Sequence, residues 1–192
     1  RGNSTWGFPK RPYNIKLDKK SKLFGMEKAK SWCLIANYED LSLLRDQIVY
    51  NLGADIGMTE SPDCRSIDLY VNGEYKGVYL ITEKVEINKN RVDITDLEGD
   101  TEDLNPDLDF STLAPQGIGG QFCGYIENSQ RWYDIPNEPE NITGGYLLEL
   151  EVTDRYSNEA SGFVTKNTQT VVMKSPEFAS EAQVKYISGY WQ

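Results

Sequence analysis

The sequence predicts an α+β fold, an antiparallel sheet with one main helix. Two hairpin signals and one helical stripe carry that expectation. Ile67-Asp68-Leu69-Tyr70-Val71 and a strand over Glu74–Ile81 flank Asn72-Gly73, the dipeptide best able to supply the two positive φ angles of a type I′ turn. Phe163-Val164-Thr165 and Thr170–Lys174 flank Asn167-Thr168-Gln169 as a second hairpin. Leu41, Leu44, Ile48, Val49, Leu52 and Ile56 recur on one stripe between Asp40, a capping residue, and Gly57, a stop.

The remaining elements follow in chain order. Tyr13-Asn14-Ile15-Lys16-Leu17 alternates apolar and polar, as a half-buried strand does, and Trp32–Ala36 is an apolar run of strand length. Arg91–Ile94 reads as a further short strand. Residues 96–143 hold Pro106, Pro115, Pro136, Pro139, many acids and Gly117-Ile118-Gly119-Gly120, and read as a long loop or an insertion. Strand signals resume over Gly144–Val152. A last helix is expected with Ser175 as N-cap and Pro176 at its first position, carrying Phe178, Ala182, Lys185 and Tyr186. It runs to Trp191-Gln192 without a glycine stop, which reads as a fragment of something longer.

Charge and composition narrow the function classes. The 192 residues carry 20 Lys plus Arg against 30 Asp plus Glu, a net charge of −10. Hydrophobic residues make up 39% with 12 Tyr and 4 Trp, enough for a buried core. The isoelectric point near 4.6 argues against a polynucleotide partner. The longest apolar runs, about five residues as in Gly77–Ile81 and Trp32–Ala36, are far short of the roughly 20 residues of a membrane span. The charge is split: residues 1–96 carry 15 basic and 14 acidic side chains, and residues 97–192 carry 5 and 16. Cys33, Cys64 and Cys123 are too few and too scattered for a disulfide framework or a zinc knuckle. The absence of histidine removes Ser-His-Asp and Cys-His catalysis within the chain.

Several constellations bear on chemistry. Arg1-Gly2-Asn3-Ser4-Thr5-Trp6-Gly7 offers a glycine turn with free backbone N–H groups and a guanidinium fork for an anion. It leads into a basic strand holding Lys10 and Lys16, although a plain surface turn explains the same residues. Asp103–Asp109 alternates acids but places Leu108 where a calcium loop needs glycine and Ala114 where it needs a bidentate Glu, so it reads as a solvated acidic loop. Glu149 and Glu151 share one face of a strand whose other face is Leu148, Leu150 and Val152. Arg45, at the edge of the helical stripe, calls for a carboxylate partner if it turns inward, with Glu83 a candidate.

Taken in order, these segments resemble the spore coat protein H (CotH) kinase family. The matching stretches are Arg1–Trp6, Pro9–Leu17, Trp32–Asp40 with Leu44-Arg45, Asp68–Glu86 and Gly144–Glu149. The resemblance implies the N-terminal lobe of an atypical protein-kinase-like fold that binds ATP and Mg²⁺ and phosphorylates Ser on spore coat or surface proteins. By that resemblance the chain, 1–192, is a partial kinase domain, with 96–143 outside the matched stretches. The cofactor-binding set is Arg1, Gly2, Asn3, Ser4, Lys10, Lys16 and Glu83, with Lys16 the first choice for a phosphate contact and Lys10 the second. The implied partners are a nucleotide, a Ser-rich coat or surface protein and a C-terminal lobe, at a bacterial spore coat or cell surface. The family's catalytic Asp segment and its Trp-Asp-x-Asp metal segment do not occur among these residues, so no catalytic or metal-binding residue is assigned. The competing expectation is a surface-attached module for carbohydrate or protein without kinase chemistry, resting on Trp132, Tyr133, Tyr156, Tyr190 and Trp191.

Overall fold

The computed structural model describes residues 4–118, 126–152 and 159–191. Two compact units divide the chain, residues 1–93 and 94–192. The fold class is the expected one: two antiparallel sheets with short helices, an α+β mixture.

The first unit holds a four-stranded sheet of order β1-β2-β4-β3, with β1 Tyr13–Ser21, β2 Ala29–Ile35, β3 Cys64–Val71 and β4 Glu74–Glu83. The β3–β4 hairpin turns at Asn72 (φ 51°) and Gly73 (φ 84°), both left-handed as a type I′ turn requires. A register irregularity at Leu69/Tyr70 falls opposite Gly77, whose φ of 100° an L side chain rarely adopts. One face of the sheet forms the core. Trp32, Leu34, Ala36, Tyr79 and Ile81 are buried there with Met26 and Ala29, packed by Ile15, Leu17, Leu23, Ile67 and Leu69.

The main helix, α1, spans Arg45–Asp55 and touches β3. It begins later than Asp40 and is not capped by it. Leu44 occupies the N-cap position without a side-chain cap bond. Asp40 instead braces the lead-in turn, accepting from Ser42 N–H and Oγ at 3.0 and 2.6 Å and from Arg45 N–H at 2.9 Å. The apolar stripe is not buried: Leu41 is fully exposed, and Leu44, Ile48, Val49, Leu52 and Ile56 are 47–69% exposed. No strand forms over Arg91–Ile94; Val92 makes only an isolated bridge with Ile87.

The second unit is built on a five-stranded sheet of order β5-β6-β8-β9-β7, with β5 Pro115–Ile118, β6 Gln130–Tyr133, β7 Leu147–Glu151, β8 Gly162–Val164 and β9 Thr170–Ser175. Helix α2, Leu97–Asp103, is N-capped by Asp96, which accepts from Gly99 N–H. The stretch 96–143 thus carries a helix and two strands. Helix α3, Glu181–Ser188, starts five residues beyond the Ser175-Pro176 signal, because Ser175 ends β9 and Ser180 and Gln183 form a reciprocal capping box. Its core packs Trp132, Phe163, Val171, Met173, Ala179 and Val184 with Tyr146, Leu148 and Ile187. On β7 only Leu148 packs inward. Leu150 and Val152 are 60% and 55% exposed, contrary to an apolar inner face, because β7 is an edge strand paired on one side by β9.

Candidate functional site

Lys10, Lys16 and Glu83 lie in three different clefts of the first unit. Arg1, Gly2 and Asn3 lie outside the described residues, and Ser4 opens a 3₁₀ turn over Ser4–Gly7.

Lys10 follows that turn. Its Nζ donates to Ala36 O, just past the end of β2, and to Val78 O on β4, both at 2.5 Å. The same ammonium lies 4.5 Å from the centre of the Tyr79 ring, where a cation gains about 0.5–2 kcal/mol from the ring quadrupole. A Cβ on Gly77 would meet Lys10 Cε at 3.5 Å, an ordinary contact, so the positive φ rather than space for the lysine accounts for the glycine. Burial pushes the Lys10 pKa below its ordinary value. An ammonium has three donors; two are committed to carbonyls and one remains. The adjoining cleft of about 260 Å³ brings together Thr5, Phe8, Lys10, Asp40, Arg45 and Asp46. Phe8 closes one wall by stacking on Tyr38 at 5.0 Å.

Lys16 projects from the other face of the sheet. Residues directly opposite in an antiparallel pair share a face, and neighbours along a strand alternate. Lys16 pairs with Ser31, whereas Trp32 pairs with both Ile15 and Glu83. Lys16 and Glu83 therefore occupy opposite faces and are not brought together. Lys16 lines a second cleft, of about 270 Å³, with Lys20, Lys28 and Lys30.

Glu83 lies in a third, of about 650 Å³. Arg45, considered as its partner, is 80% exposed and pairs with Asp40 at 3.5 Å. The partner is Arg91, whose Nη1 donates to Glu83 Oε1 at 2.5 Å with the two side chains 2% and 12% exposed. The Arg91 guanidinium stacks 4.8 Å from the Trp32 ring. Glu83 Oε2 accepts from Asp63 N–H at 3.2 Å. Burial raises the Glu83 pKa, outweighing that N–H and the Arg91 charge, which lower it. Sequence reasoning missed this pair: Arg91 sits in a loop whose approach to β4 is set by the fold rather than by spacing.

For the Mg²⁺ implied by the family resemblance, no group of three Cys, Asp or Glu side chains converges among the described residues. No site for the ion made by protein side chains alone is thereby shown among the described residues. The aromatic residues of the competing expectation separate as well. Trp132 and Tyr133 are buried, Tyr156 lies outside the described residues, and Tyr190 and Trp191 remain 72% and 41% exposed.

Against known families, the model described as CotH kinase protein matches residues 1–150. The chain belongs to the CotH kinase family. That match runs through 96–143, which the motif-by-motif resemblance left uncovered, so the CotH portion takes in α2, β5 and β6 of the second unit. No curated protein and no solved structure matches the chain. No helix among the described residues is long and apolar enough to cross a membrane.

Proposed function

We propose that this CotH chain is the nucleotide-side part of a protein kinase that transfers the γ-phosphoryl group of ATP to Ser on a coat or surface protein. The observation that carries the reading is Lys10. Its ammonium is held by two carbonyls and an aromatic ring beside Thr5, at the end of the loop the family resemblance assigns to the nucleotide. A cation fixed before its ligand arrives gives up little ordering free energy when phosphate charge reaches it, and positioned charge is most of what a protein contributes to phosphoryl transfer. The cleft has room for a phosphate group or two, not a whole nucleotide. In this reading Lys10, rather than Lys16, is the phosphate contact, and the exposed Arg45, paired with Asp40, adds a second cation at the rim.

The test is an ATP titration of the chain with Mg²⁺ present, comparing wild type, Lys10→Ala and Lys16→Ala, with circular dichroism confirming that each is folded. The expected result is affinity about tenfold lower for Lys10→Ala and unchanged for Lys16→Ala, the loss of one charge-assisted contact. Absence of ATP binding by the wild type, or equal affinity in wild type and Lys10→Ala, overturns the assignment. A loss confined to Lys16→Ala moves the phosphates to the second cleft.

A further inference from the structure

We infer that the second cleft of the first unit docks an acidic, extended protein segment. Four lysines, Lys16 and Lys20 of β1, Lys28 just before β2 and Lys30 within it, converge on a cleft of about 270 Å³. Among the described residues none of the four ammonium groups is in an ion pair, although ion pairs form elsewhere in the unit at Lys22–Glu27 and Lys76–Glu74. The acid lining the cleft is Glu86, whose Oε1 accepts from Asn88 Nδ2 at 3.2 Å, and Asp18 stands exposed between Lys16 and Lys20 in the sequence. Four like charges in one cleft repel one another, in a chain whose net charge is −10. An anion seated among them relieves that repulsion.

The chemistry of the cleft selects the anion. Lysine is a point charge on a flexible stem, so four of them accept carboxylates arriving in varied geometry along an extended segment, without the fixed fork of a bidentate arginine site. No aromatic side chain lines the cleft, so it offers no stacking platform for a base. Among the described residues β1 is the edge strand of its sheet, pairing with β2 on one side, and an edge strand is where an added strand pairs. An extended Asp/Glu-rich segment laid along β1 satisfies both the open edge and the lysines. Charged side chains on an edge strand also discourage self-association, and the test separates that role from docking.

The test is a fluorescence anisotropy titration of the chain with a labelled peptide of alternating Glu and small apolar residues, with its Glu→Gln counterpart as control. The expected result is binding of the acidic peptide alone, weakening steeply with added salt. The quadruple variant Lys16→Gln/Lys20→Gln/Lys28→Gln/Lys30→Gln lowers affinity at least tenfold. Glu86→Gln, which keeps the shape of the side chain, raises it about two- to fivefold and serves if the quadruple variant fails to fold. ATP at matched ionic strength does not displace the peptide, so failure here is distinguishable from failure of the Lys10 assignment. No binding of the acidic peptide, equal binding of both peptides, displacement by ATP, tighter binding of a single-stranded RNA of equal charge, or an unchanged affinity in Glu86→Gln overturns the proposal. Aggregation of the quadruple variant with no peptide bound by wild type assigns the lysines to edge protection and overturns it too.

Discussion

Helix α1 of the first unit has five aliphatic side chains along one stripe, from Leu44 at its N-cap to Ile56 at its C-cap, all exposed, and it is in contact with β3. Helix α3 of the second unit is shorter, eight residues, yet Val184 and Gln183 are fully buried and its other neighbours include β6 and β8. The contrast separates two things that helical periodicity joins. A repeating apolar face says what a helix is able to bury; a facing layer decides what it does bury. For α3 that layer is the sheet carrying Trp132 and Phe163. For α1 the sheet below buries Cys64 and Leu80, while the stripe points elsewhere.

The largest effect that tests this contrast is a matched pair of truncations. Val184→Ala removes fully buried methyl groups and is expected to cost about 2 kcal/mol, transfer plus cavity. Ile48→Ala, at a side chain 59% exposed, is expected to change stability by less than about 0.5 kcal/mol. Urea unfolding followed by far-ultraviolet circular dichroism reads both. Equal losses would break the comparison, because they would mean that the α1 stripe is covered in solution.

How much of this was legible in the sequence depends on how local each signal is. The Asn72-Gly73 turn needs only two residues with positive φ, and it formed where the dipeptide stands. The start of α3 was also written locally, in Ser180 and Gln183, but the Ser175-Pro176 pair five residues earlier carries a competing start signal. Only the structure shows that Ser175 is still paired in β9. The candidate site was less legible. Alternation along β1 gives the face of Lys16 relative to Ile15, and alternation along β4 gives the face of Glu83 relative to Thr82. Which face of β1 matches which face of β4 is fixed by the register through β2, and no spacing in the sequence reports it. The anchoring of Lys10 was hidden for a related reason: its acceptors are carbonyls 26 and 68 residues away. Backbone acceptors carry no residue signature.

A smaller effect separates the two helix starts. The Ser180 hydroxyl accepts from Gln183 N–H at 3.2 Å while Gln183 Oε1 accepts from Ser180 N–H at 3.1 Å. Ser180→Ala removes the first of these and is expected to cost about 1 kcal/mol. Gln183 Nε2 also donates to Thr101 Oγ1 of α2 at 3.2 Å, so the cap fastens α3 to α2 as well as closing its own first turn. A loss below about 0.3 kcal/mol in the same urea assay would show that burial of Val184 alone sets the position of α3.

The start of α1 is held by a titrating group, and that gives the subtlest difference between the helices. The Ser42 hydroxyl and the backbone N–H groups of Arg45 and Ser42 bond the Asp40 carboxylate and lower its pKa, as does the nearby Arg45 charge. A carboxyl whose pKa is depressed by folding contributes stability at pH values above its unfolded value of about 3.9, and that contribution is lost as pH falls through the lower, folded value. Acidification below about pH 4 is therefore expected to loosen the turn leading into α1. The Ser180–Gln183 cap of α3 has no ionisable group and stays closed over the same interval. Amide proton shifts read this directly: Ser42 and Arg45 N–H are expected to move upfield together with one apparent midpoint below pH 3.9, and Gln183 N–H to stay fixed. In Asp40→Asn the side-chain oxygen still accepts but no longer titrates, so the Ser42 and Arg45 shifts should become flat with pH while α1 remains helical. Movement of Gln183 N–H on the same midpoint would make the transition global rather than local. Flat Ser42 and Arg45 shifts in the wild type would mean that Asp40 does not hold the turn.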